Sequence, residues 1–439
     1  MKEICEYNKC TGCWACVNAC SHHAISMIED QYGELHPSID NSLCVDCGLC
    51  KLSCPNVNSL AYNKPIKCYA AFRTNKEKRK ISASGGIGAL FAEYAINQKS
   101  GVVFGTAYDK NLIPTTTSSE TNDGIERFKG SKYVQSIVGS ETFRQIRDFL
   151  KCNRFVLYIA TPCQIAGLKS FLRKDYDNLI TVDLICHGVC PTSYFSDEIK
   201  YLCQENKIDI NEISDVRFRG NDSCNNSTIK KILGRPASNN YVLTLWKSSD
   251  SGKEKVYTGT INENFYLAGF LKGVSMRENC YSCSYARPER ISDITIGDFI
   301  GLSDNPLFPY PKGNVSSITT NTVKGQMFYE EILQSSDIDL ISMERRYEER
   351  LKYKPSLVYP FPRHKLNSQF RQEYVNSGYV SAIHKALGNE LIHEKRKEMI
   401  HWFLVSLPKK TTIYIVKKLI IFLFGNEKLE KVKKKVRHI

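Results

Sequence analysis

The sequence lacks the glycine-rich motifs that bind the phosphates of NAD and ATP. Neither G-x-G-x-x-G nor G-x-x-x-x-G-K-[ST] occurs in its 439 residues. It also lacks a basic stripe interleaved with aromatic residues, so we do not expect nucleic-acid binding. The start, MKEICEYNKCTGC, has no basic region followed by an apolar one, and we expect no signal peptide. These absences point away from nucleotide-dependent, nucleic-acid-binding and secreted proteins.

Cysteine, in contrast, is abundant. The chain contains 18 cysteines, which suggests thiolates used as metal ligands rather than a secreted disulfide framework. A reducing, cytoplasmic location follows as an expectation. The length fits about three domains, and a hydrophobic content of 42% is that of an ordinary globular protein.

The first sixty residues contain two matched cysteine runs with the spacing C-x2-C-x2-C-x3-C. In this pattern three closely spaced thiolates bind one [4Fe-4S] cluster, while the fourth cysteine of each run binds the other cluster. The predicted ligand sets are Cys10, Cys13, Cys16 with Cys54, and Cys44, Cys47, Cys50 with Cys20. Zinc is the alternative, but zinc usually takes two pairs of ligands. The stretch resembles a bacterial two-[4Fe-4S] ferredoxin, with a hairpin expected from Ala24 to Ile39.

Two polar loops follow the ferredoxin-like region. Ser82 to Gly88 precedes a helical run, and Ser84 is a candidate N-cap; glycines at a helix start let a phosphate or a flavin edge approach backbone N–H groups. Serine and glycine also begin helices that bind nothing. The second loop, Lys129 to Ser136, places a cation beside an aromatic residue, and a solvated loop is its alternative interpretation.

Two strand–loop–helix units then carry more cysteines. Cys163 follows the apolar strand FVLYIA at a predicted helix start, where the helix dipole favours a thiolate. The strand LITVDLI ends at Cys186, His187 and Cys190. Because ligand sites collect beyond the carboxyl ends of such strands, we expect one shared crevice. His187 is a candidate proton donor or an ordinary loop residue.

A later C-x2-C pair, Cys280 and Cys283, fits zinc, a redox dithiol or part of a cluster. Together with Cys163 and either Cys186 or Cys190, the pair completes a possible third four-cysteine site.

The C-terminal region is basic and is predicted to be helical. From Pro408 onward, ten Lys and Arg residues face two Glu residues, so this tail contributes +8 of the net charge of +14. Its apolar stretch, Thr412 to Phe424, is shorter than the roughly twenty residues of a spanning helix. Two interpretations of the tail are open: a basic amphipathic helix that lies on an anionic membrane surface, and a helix that packs on the body of the protein.

Six short motifs together resemble the coenzyme F-420 hydrogenase/dehydrogenase beta subunit family. They are SASGG (82–86), KGSKYVQS (129–136), TPCQIAGL (161–168), DLICHG (183–188), CYSC (280–283) and IGDF (296–299). The resemblance implies FAD fed by iron-sulfur clusters, with relatives that reduce a deazaflavin or 7-hydroxymethyl chlorophyll a. It implies a flavin neighbourhood at Ser84, Gly85, Gly86, Ser131, Lys132, Tyr133, Thr161 and Gln164. It also favours a third cluster bound by Cys163, Cys186, Cys280 and Cys283.

The expected architecture is α+β and α/β: a dicluster ferredoxin domain over 1–60, a mixed α/β flavin domain over 61–340, and a helical basic region over 341–439. The hypothesis is an iron-sulfur flavoprotein oxidoreductase with a ferredoxin-like partner and an unknown small-molecule substrate. Similarity to proteins of surface-polysaccharide synthesis suggests one setting. The alternative is an electron-transfer subunit that serves a partner enzyme and has no substrate site.

Overall fold

The computed structural model describes residues 3–219, 241–249, 252–302 and 315–406. The strands, in chain order, are β1 (Ile25–Glu29), β2 (Leu35–Ile39), β3 (Lys67–Arg73), β4 (Val102–Tyr108), β5 (Pro114–Ser119), β6 (Val156–Ala160), β7 (Leu179–Leu184), β8 (Ile213–Arg219), β9 (Tyr241–Ser249), β10 (Gly252–Thr260), β11 (Ile294–Asp298), β12 (Ser316–Thr320) and β13 (Leu340–Arg345).

The helices, in chain order, are α1 (Ala15–Ala19), α2 (Leu49–Leu52), α3 (Lys76–Lys80), α4 (Ile87–Lys99), α5 (Asn122–Ile125), α6 (Thr142–Lys151), α7 (Pro162–Leu172), α8 (Thr192–Glu205), α9 (Phe265–Lys272), α10 (Val323–Gln334), α11 (Tyr347–Tyr353) and α12 (Asn367–Ser406). The last is two helical segments that meet at Gly378, whose φ of 76° is not helical.

The N-terminal region is ferredoxin-like, as its spacing predicts. β1 and β2 form an antiparallel hairpin between the two cysteine runs, which confirms the predicted hairpin. Its turn is fixed by Asp30, whose carboxylate accepts hydrogen bonds from the backbone N–H of Tyr32 and Glu34. A short helix begins inside each cysteine run, so the two halves of the region are built alike.

The main body is an eight-stranded mixed sheet in the order β13-β3-β12-β11-β7-β6-β4-β5. Its four central strands, β11, β7, β6 and β4, are parallel to one another. Strands buried on both faces need apolar side chains on both, which explains the nearly continuous apolar runs of β6 and β7. The carboxyl ends of β6, β7 and β11 meet at one sheet edge, as expected for the predicted crevice.

A second layer consists of the antiparallel strands β8, β9 and β10. Apolar side chains from this sheet pack with α8, α9 and α12 in one continuous core. Phe195, Phe218, Tyr266 and Tyr379 are among its fully buried members. The helical C-terminal region therefore covers the small sheet.

The first residues after 340 depart from the expected helical pattern. Leu340–Arg345 forms β13, an edge strand that pairs antiparallel with β3. Cross-strand pairing with β3 outweighs local helix propensity here, and the helices α11 and α12 begin only after this strand.

The basic tail, including Thr412 to Phe424, lies outside the described residues. Among the helices that are described, none combines the length and apolar character needed to cross a bilayer.

Candidate metal centres

The first site is a small cavity in the ferredoxin-like region. Four of its lining thiols are Cys10, Cys13, Cys16 and Cys54, so a cysteine of the second run joins the triplet of the first. Burial raises the pKa of the Cys16 thiol, and the charges of the other three raise it further. The chain bends into this site at Gly12, where φ is +63° and a Cβ would lie 2.5 Å from Gln135 Nε2.

The second site repeats the first with the roles of the runs exchanged. Its small cavity is lined by Cys20, Cys44, Cys47 and Cys50. Burial raises the pKa of Cys50, and the charges of Cys47 and Cys20 add to the effect. Cys47 is exposed, whereas Cys10, Cys13, Cys16 and Cys54 of the first site are all buried. The second site therefore lies nearer to solvent.

The third group forms at the sheet edge predicted from the strand ends. Cys163 follows β6, Cys186 follows β7, and Cys280 and Cys283 lie in the turn before β11. Burial raises the pKa of Cys186 to about 12, and the charges of Cys163 and Cys283 contribute. Cys283 and Cys186 likewise act on the buried Cys280. All four cysteines named by the resemblance thus lie together.

Cys190 lies apart from this group. It is fully buried in the core under the small sheet, where its Sγ is 3.4 Å from Ser275 Oγ. Of the two cysteines that could be the fourth member of the third group, Cys186 lies with the other three and Cys190 does not.

Cys163 occupies the first turn of α7, as predicted, but the helix dipole does not govern its ionisation. Burial is the largest effect and raises the pKa of Cys163 to about 11, although a hydrogen bond between its thiol and the Thr161 hydroxyl opposes the rise. A bound metal ion deprotonates its thiol ligands, so this thiol needs a metal partner to become a thiolate.

The first site lies next to the third cysteine group. Cys13 of the first site acts electrostatically on Tyr285 together with Cys163 and Cys283 of the third group. α1 packs on α7 so closely that a Cβ on Gly167 would be 3.0 Å from Cys13 Sγ. The first site therefore lies between the exposed second site and the third group.

None of these groups is arranged for a single metal ion. A lone zinc ion draws its four thiolates to within about 4 Å of one another. In the described part of the chain, no three His, Cys, Asp or Glu side chains are placed to hold one ion.

A buried arginine that no motif singles out joins the first and third groups. Arg277 is 0% exposed, and its guanidinium donates to the carbonyl oxygens of Cys10 and Leu35 and to Gln135 Oε1. Its charge lowers the pKa of Cys10, after the larger effect of a hydrogen bond from Cys5. The only feature of the sequence that pointed to Arg277 was its position three residues before Cys280.

Cys5 also has a position that its sequence did not predict. It lies outside both cysteine runs in the sequence, and it is half-buried in the wall of the first cavity. Hydrogen bonds with Cys10 and then Cys54 raise the pKa of Cys5. A fifth thiol is therefore present beside the first site.

The predicted flavin positions fall into two groups. Tyr133 stacks on Phe270 with ring centroids 4.9 Å apart and accepts a hydrogen bond from Arg219, which also pairs with Asp298 at 2.6 Å. Burial lowers the pKa of Lys132 to about 8, and its ammonium lies 3.3–3.4 Å from the carbonyl oxygens of the four successive residues 127–130, to which it donates its hydrogen bonds. Ser131 is half-buried on the same loop.

The second group adjoins the third cysteine group. Thr161 and Gln164 form the capping box of α7, and Gln164 Nε2 donates to Ser136 Oγ at 2.9 Å. Since Ser136 ends the loop that begins at Lys129, one loop connects the two groups.

The serine–glycine motif is used largely by the protein itself. Ser84 does not cap α4; Gly86 occupies the N-cap position, and Ser84 Oγ donates to the carbonyl oxygen of Val315. A Cβ on Gly85 would lie 2.5 Å from the carbonyl oxygen of Ala71, so β3 packing alone requires glycine there. Gly86, with φ of +86°, packs against Arg73.

His187 is buried between aromatic rings. Its ring centroid is 4.0 Å from that of Phe361 and 5.1 Å from that of Phe270. Burial, assisted by the charge of Lys354, lowers the pKa of His187 to about 4. The neutral imidazole is a poor proton donor at pH 7, which favours a structural role.

Comparison with known families matches two parts of the chain. Residues 153–346 match the family described as the C terminus of the beta subunit of coenzyme F420 hydrogenase/dehydrogenase. Residues 9–58 match the 4Fe-4S dicluster domain. No curated protein matches the sequence.

Among solved structures, the chain is similar to one from the F420-reducing [NiFe] hydrogenase complex of Methanosarcina barkeri, studied by xenon derivatization. The sequence identity is 13%, and the alignment covers 73% of this chain and 91% of that one with a TM-score of 0.41.

Proposed function

We propose that this chain, which carries the C-terminal domain of the coenzyme F420 hydrogenase/dehydrogenase beta subunits behind a 4Fe-4S dicluster domain, transfers electrons within a flavin-dependent oxidoreductase reaction. The observation that carries the proposal is the series of three four-thiol groups, in which the exposed second site leads through the first to the third. Iron-sulfur clusters supply one-electron transfer when bound at such thiols.

The proposed ligands follow the three groups. The first cluster would bind Cys10, Cys13, Cys16 and Cys54; the second Cys20, Cys44, Cys47 and Cys50; the third Cys163, Cys186, Cys280 and Cys283. The chain's own contribution is to bury the first group and Cys280 of the third, and to place Arg277 between the two groups, where its charge lowers the pKa of Cys10. The domain division at residues 60 and 340 remains a prediction.

FAD is the proposed next cofactor. Arg219 and Arg217, paired with Asp298 and Asp215, lie near Lys132, and Tyr133 supplies an aromatic face; an anionic cofactor with a planar ring would replace these carboxylate partners with its phosphates. The loop from Lys129 to Ser136 connects these residues with Thr161 and Gln164 beside the third group. Flavin, when bound, exchanges single electrons for electron pairs with a substrate. A small-molecule substrate, a ferredoxin-like partner and a setting in surface-polysaccharide synthesis remain predictions, as do cytoplasmic location and membrane contact.

The test is anaerobic purification followed by measurement of iron, sulfide and flavin. Three clusters correspond to about twelve iron atoms per chain, and two to about eight. Cys186→Ser is expected to remove about four of them, with loss of one cubane EPR signal. Cys190→Ser is the matched control, since it changes a buried thiol of the same loop outside the group, and it should keep its iron. Full iron in Cys186→Ser would contradict the third site.

One observation favours the alternative, an electron-transfer subunit without its own flavin or substrate site. Both glycines of the serine–glycine motif are explained by packing against Ala71 and Arg73, without any cofactor. A preparation with full iron but no flavin would support this alternative and contradict the flavin-dependent version. Steady reduction of a small molecule by the isolated chain would contradict the alternative.

A further inference from the structure

We propose that the surface around the second site is the docking surface for an acidic redox protein. We define this surface, the second-site face, by exposed Cys47, the apolar residues Leu43, Val45 and Leu52, and an arginine cleft formed by Arg144, Arg147 and Arg173. The proposal rests on the proposed electron-transfer function, and it names the place where electrons pass between proteins.

The apolar part of the face consists of large side chains that the fold leaves in solvent. Leu43 is 50% exposed, Val45 58% and Leu52 47%; Leu43 precedes the second cysteine run, and the other two lie within it. Neighbouring exposed apolar residues mark protein interaction surfaces. Cys47, a predicted cluster ligand, is exposed among them. A partner that covers these residues would come close to the second cluster.

The arginine cleft adjoins this apolar part directly. It is an open cleft that three arginines line without any carboxylate. Leu49 lines both the cleft and the second cavity, and Ser53 follows Leu52 in the chain, so the cleft and the apolar part are continuous. The face therefore combines a hydrophobic centre with a positive side, as interfaces of redox proteins require for both contact and steering.

The arginines are positioned rather than loose. Arg144 Nε donates to the carbonyl oxygen of Asn18 at 2.8 Å, and its Nη2 donates to that of Cys20. Arg147 lies over the ring of Phe171 at 5.3 Å. Arg173 is exposed at the end of α7, where φ is 56°. Two cations are thus oriented by packing on the body, and the third extends the positive surface.

The charge of the arginine cleft indicates which kind of partner binds to the second-site face. Glu141 and Asp148 contact Arg144 and Arg147 from α6, and Asp46 lies in the cluster loop, but none of them lines the cleft. The chain's net charge of +14 includes +8 from the C-terminal tail, so the local charge of the cleft, three arginines and no lining carboxylate, is what selects an acidic partner. An acidic protein with its own one-electron centre is attracted, and it matches the function of the cluster below.

The test uses the full chain, purified without air, and a reduced acidic [2Fe-2S] ferredoxin as the probe. The second-order rate constant for electron transfer is measured by stopped flow between about 0.02 and about 0.5 M salt. We expect the wild-type rate to fall with salt. Arg147→Glu with Arg173→Glu should lower the low-salt rate by about tenfold or more, because like charges now face the partner.

The matched control reverses two exposed cations elsewhere, Arg346→Glu with Lys395→Glu. It keeps the same net charge as the test variant and should stay within about twofold of the wild-type rate. Arg147→Gln with Arg173→Gln should give an intermediate rate, and it guards against misfolding of the reversed variant.

Iron content and reduction by dithionite are measured for every variant. A test variant with full iron and an unchanged ferredoxin rate would overturn the docking surface and leave the electron-transfer function standing. Wild-type protein without clusters would overturn both. A wild-type dimer that the two glutamates convert to a monomer would assign the face to self-association and overturn the proposal.

Discussion

Arg277 combines two properties at the scale of a single residue: it is fully buried, and it contacts the surroundings of two cysteine groups. A buried cation stabilises added negative charge nearby, because the low-dielectric interior screens it weakly. Arg277→Gln should therefore make the clusters of the first and third groups harder to reduce, by several tens of millivolts; about 59 mV is a tenfold change for one electron. EPR-monitored redox titration measures the shift.

Arg73→Gln is the control for removing a buried arginine. Arg73 is 2% exposed and pairs with Glu93 and Asp339 beside β3, away from the cysteine groups. It should lose stability with unchanged potentials. Equal potentials in wild type and Arg277→Gln, with full iron in both, would show that Arg277 acts only in packing.

Glu198 gives a prediction for pH. This carboxyl is 0% exposed in α8, and burial raises its pKa to about 7, although Asn264 donates a hydrogen bond that opposes the rise. Because the folded-state pKa is raised, its stabilising contribution is complete below about pH 4.5 and is lost as pH rises through about 7. The loss is on the order of 3 kcal/mol.

Glu198→Gln should abolish this loss, since a neutral amide replaces the protonated acid. Its unfolding temperature should exceed that of wild type at pH 8 and match it at pH 5. Glu205→Gln, an exposed change in the same helix, should leave the wild-type pH dependence intact. A pH profile shared by wild type and Glu198→Gln would show that another group titrates.

At the level of single residues, the sequence predicts only those site residues whose positions follow from a regular spacing. The cysteine runs place Cys20 and Cys54 with opposite triplets because the chemistry of the motif is local and regular. Arg277 and Arg144 are not predictable in this way. Their contacts to Cys10 and Cys20 span more than 120 positions and depend on how the domains pack.

Whole elements were largely predictable, with two instructive exceptions. The apolar runs FVLYIA and LITVDLI correctly predicted β6 and β7. β13 was missed because an edge strand is fixed by its partner rather than by its own pattern. Ser84 was misassigned as an N-cap because Val315, which accepts its hydrogen bond, lies 231 positions away.

The contact between α1 and α7 sets the approach of the first site to the third. Gly167 permits it, since a Cβ there would lie 3.0 Å from both Cβ and Sγ of Cys13. Gly167→Ala should push the helices apart and destabilise the first cluster. We expect faster loss of the cluster absorbance on exposure to air, with about 1–3 kcal/mol lower stability.

Gly388→Ala is the control for this helix glycine. No atom lies within 4 Å of a Cβ at Gly388, in α12, so alanine should stabilise its helix by up to about 1 kcal/mol. If Gly167→Ala keeps its clusters as long as Gly388→Ala does, the close contact is not a constraint on the first site.

At the scale of the whole molecule, the ferredoxin-like region and the body differ in what stabilises them. The core cluster around the two sites contains Ile4, Val17 and Ile25, but its other three buried members are cysteines. The body instead contains large apolar cores on both sides of its sheet. A small domain with so little apolar core depends on metal binding for much of its folding free energy.

Removal of iron should therefore unfold one part of the molecule and spare the other. After oxidation and chelation, amide hydrogen exchange should accelerate strongly within residues 3–58, while the central strands β6 and β7 keep their protection. The hairpin should retain more protection than the second cysteine run. The reason is that two contacts hold the turn of the hairpin to the body: Glu34 pairs with Arg371, and Tyr194 donates a hydrogen bond to the carbonyl oxygen of Tyr32. Uniform loss of protection would mean that the domains fold as one unit, and unchanged exchange within 3–58 would mean that the clusters contribute little to folding.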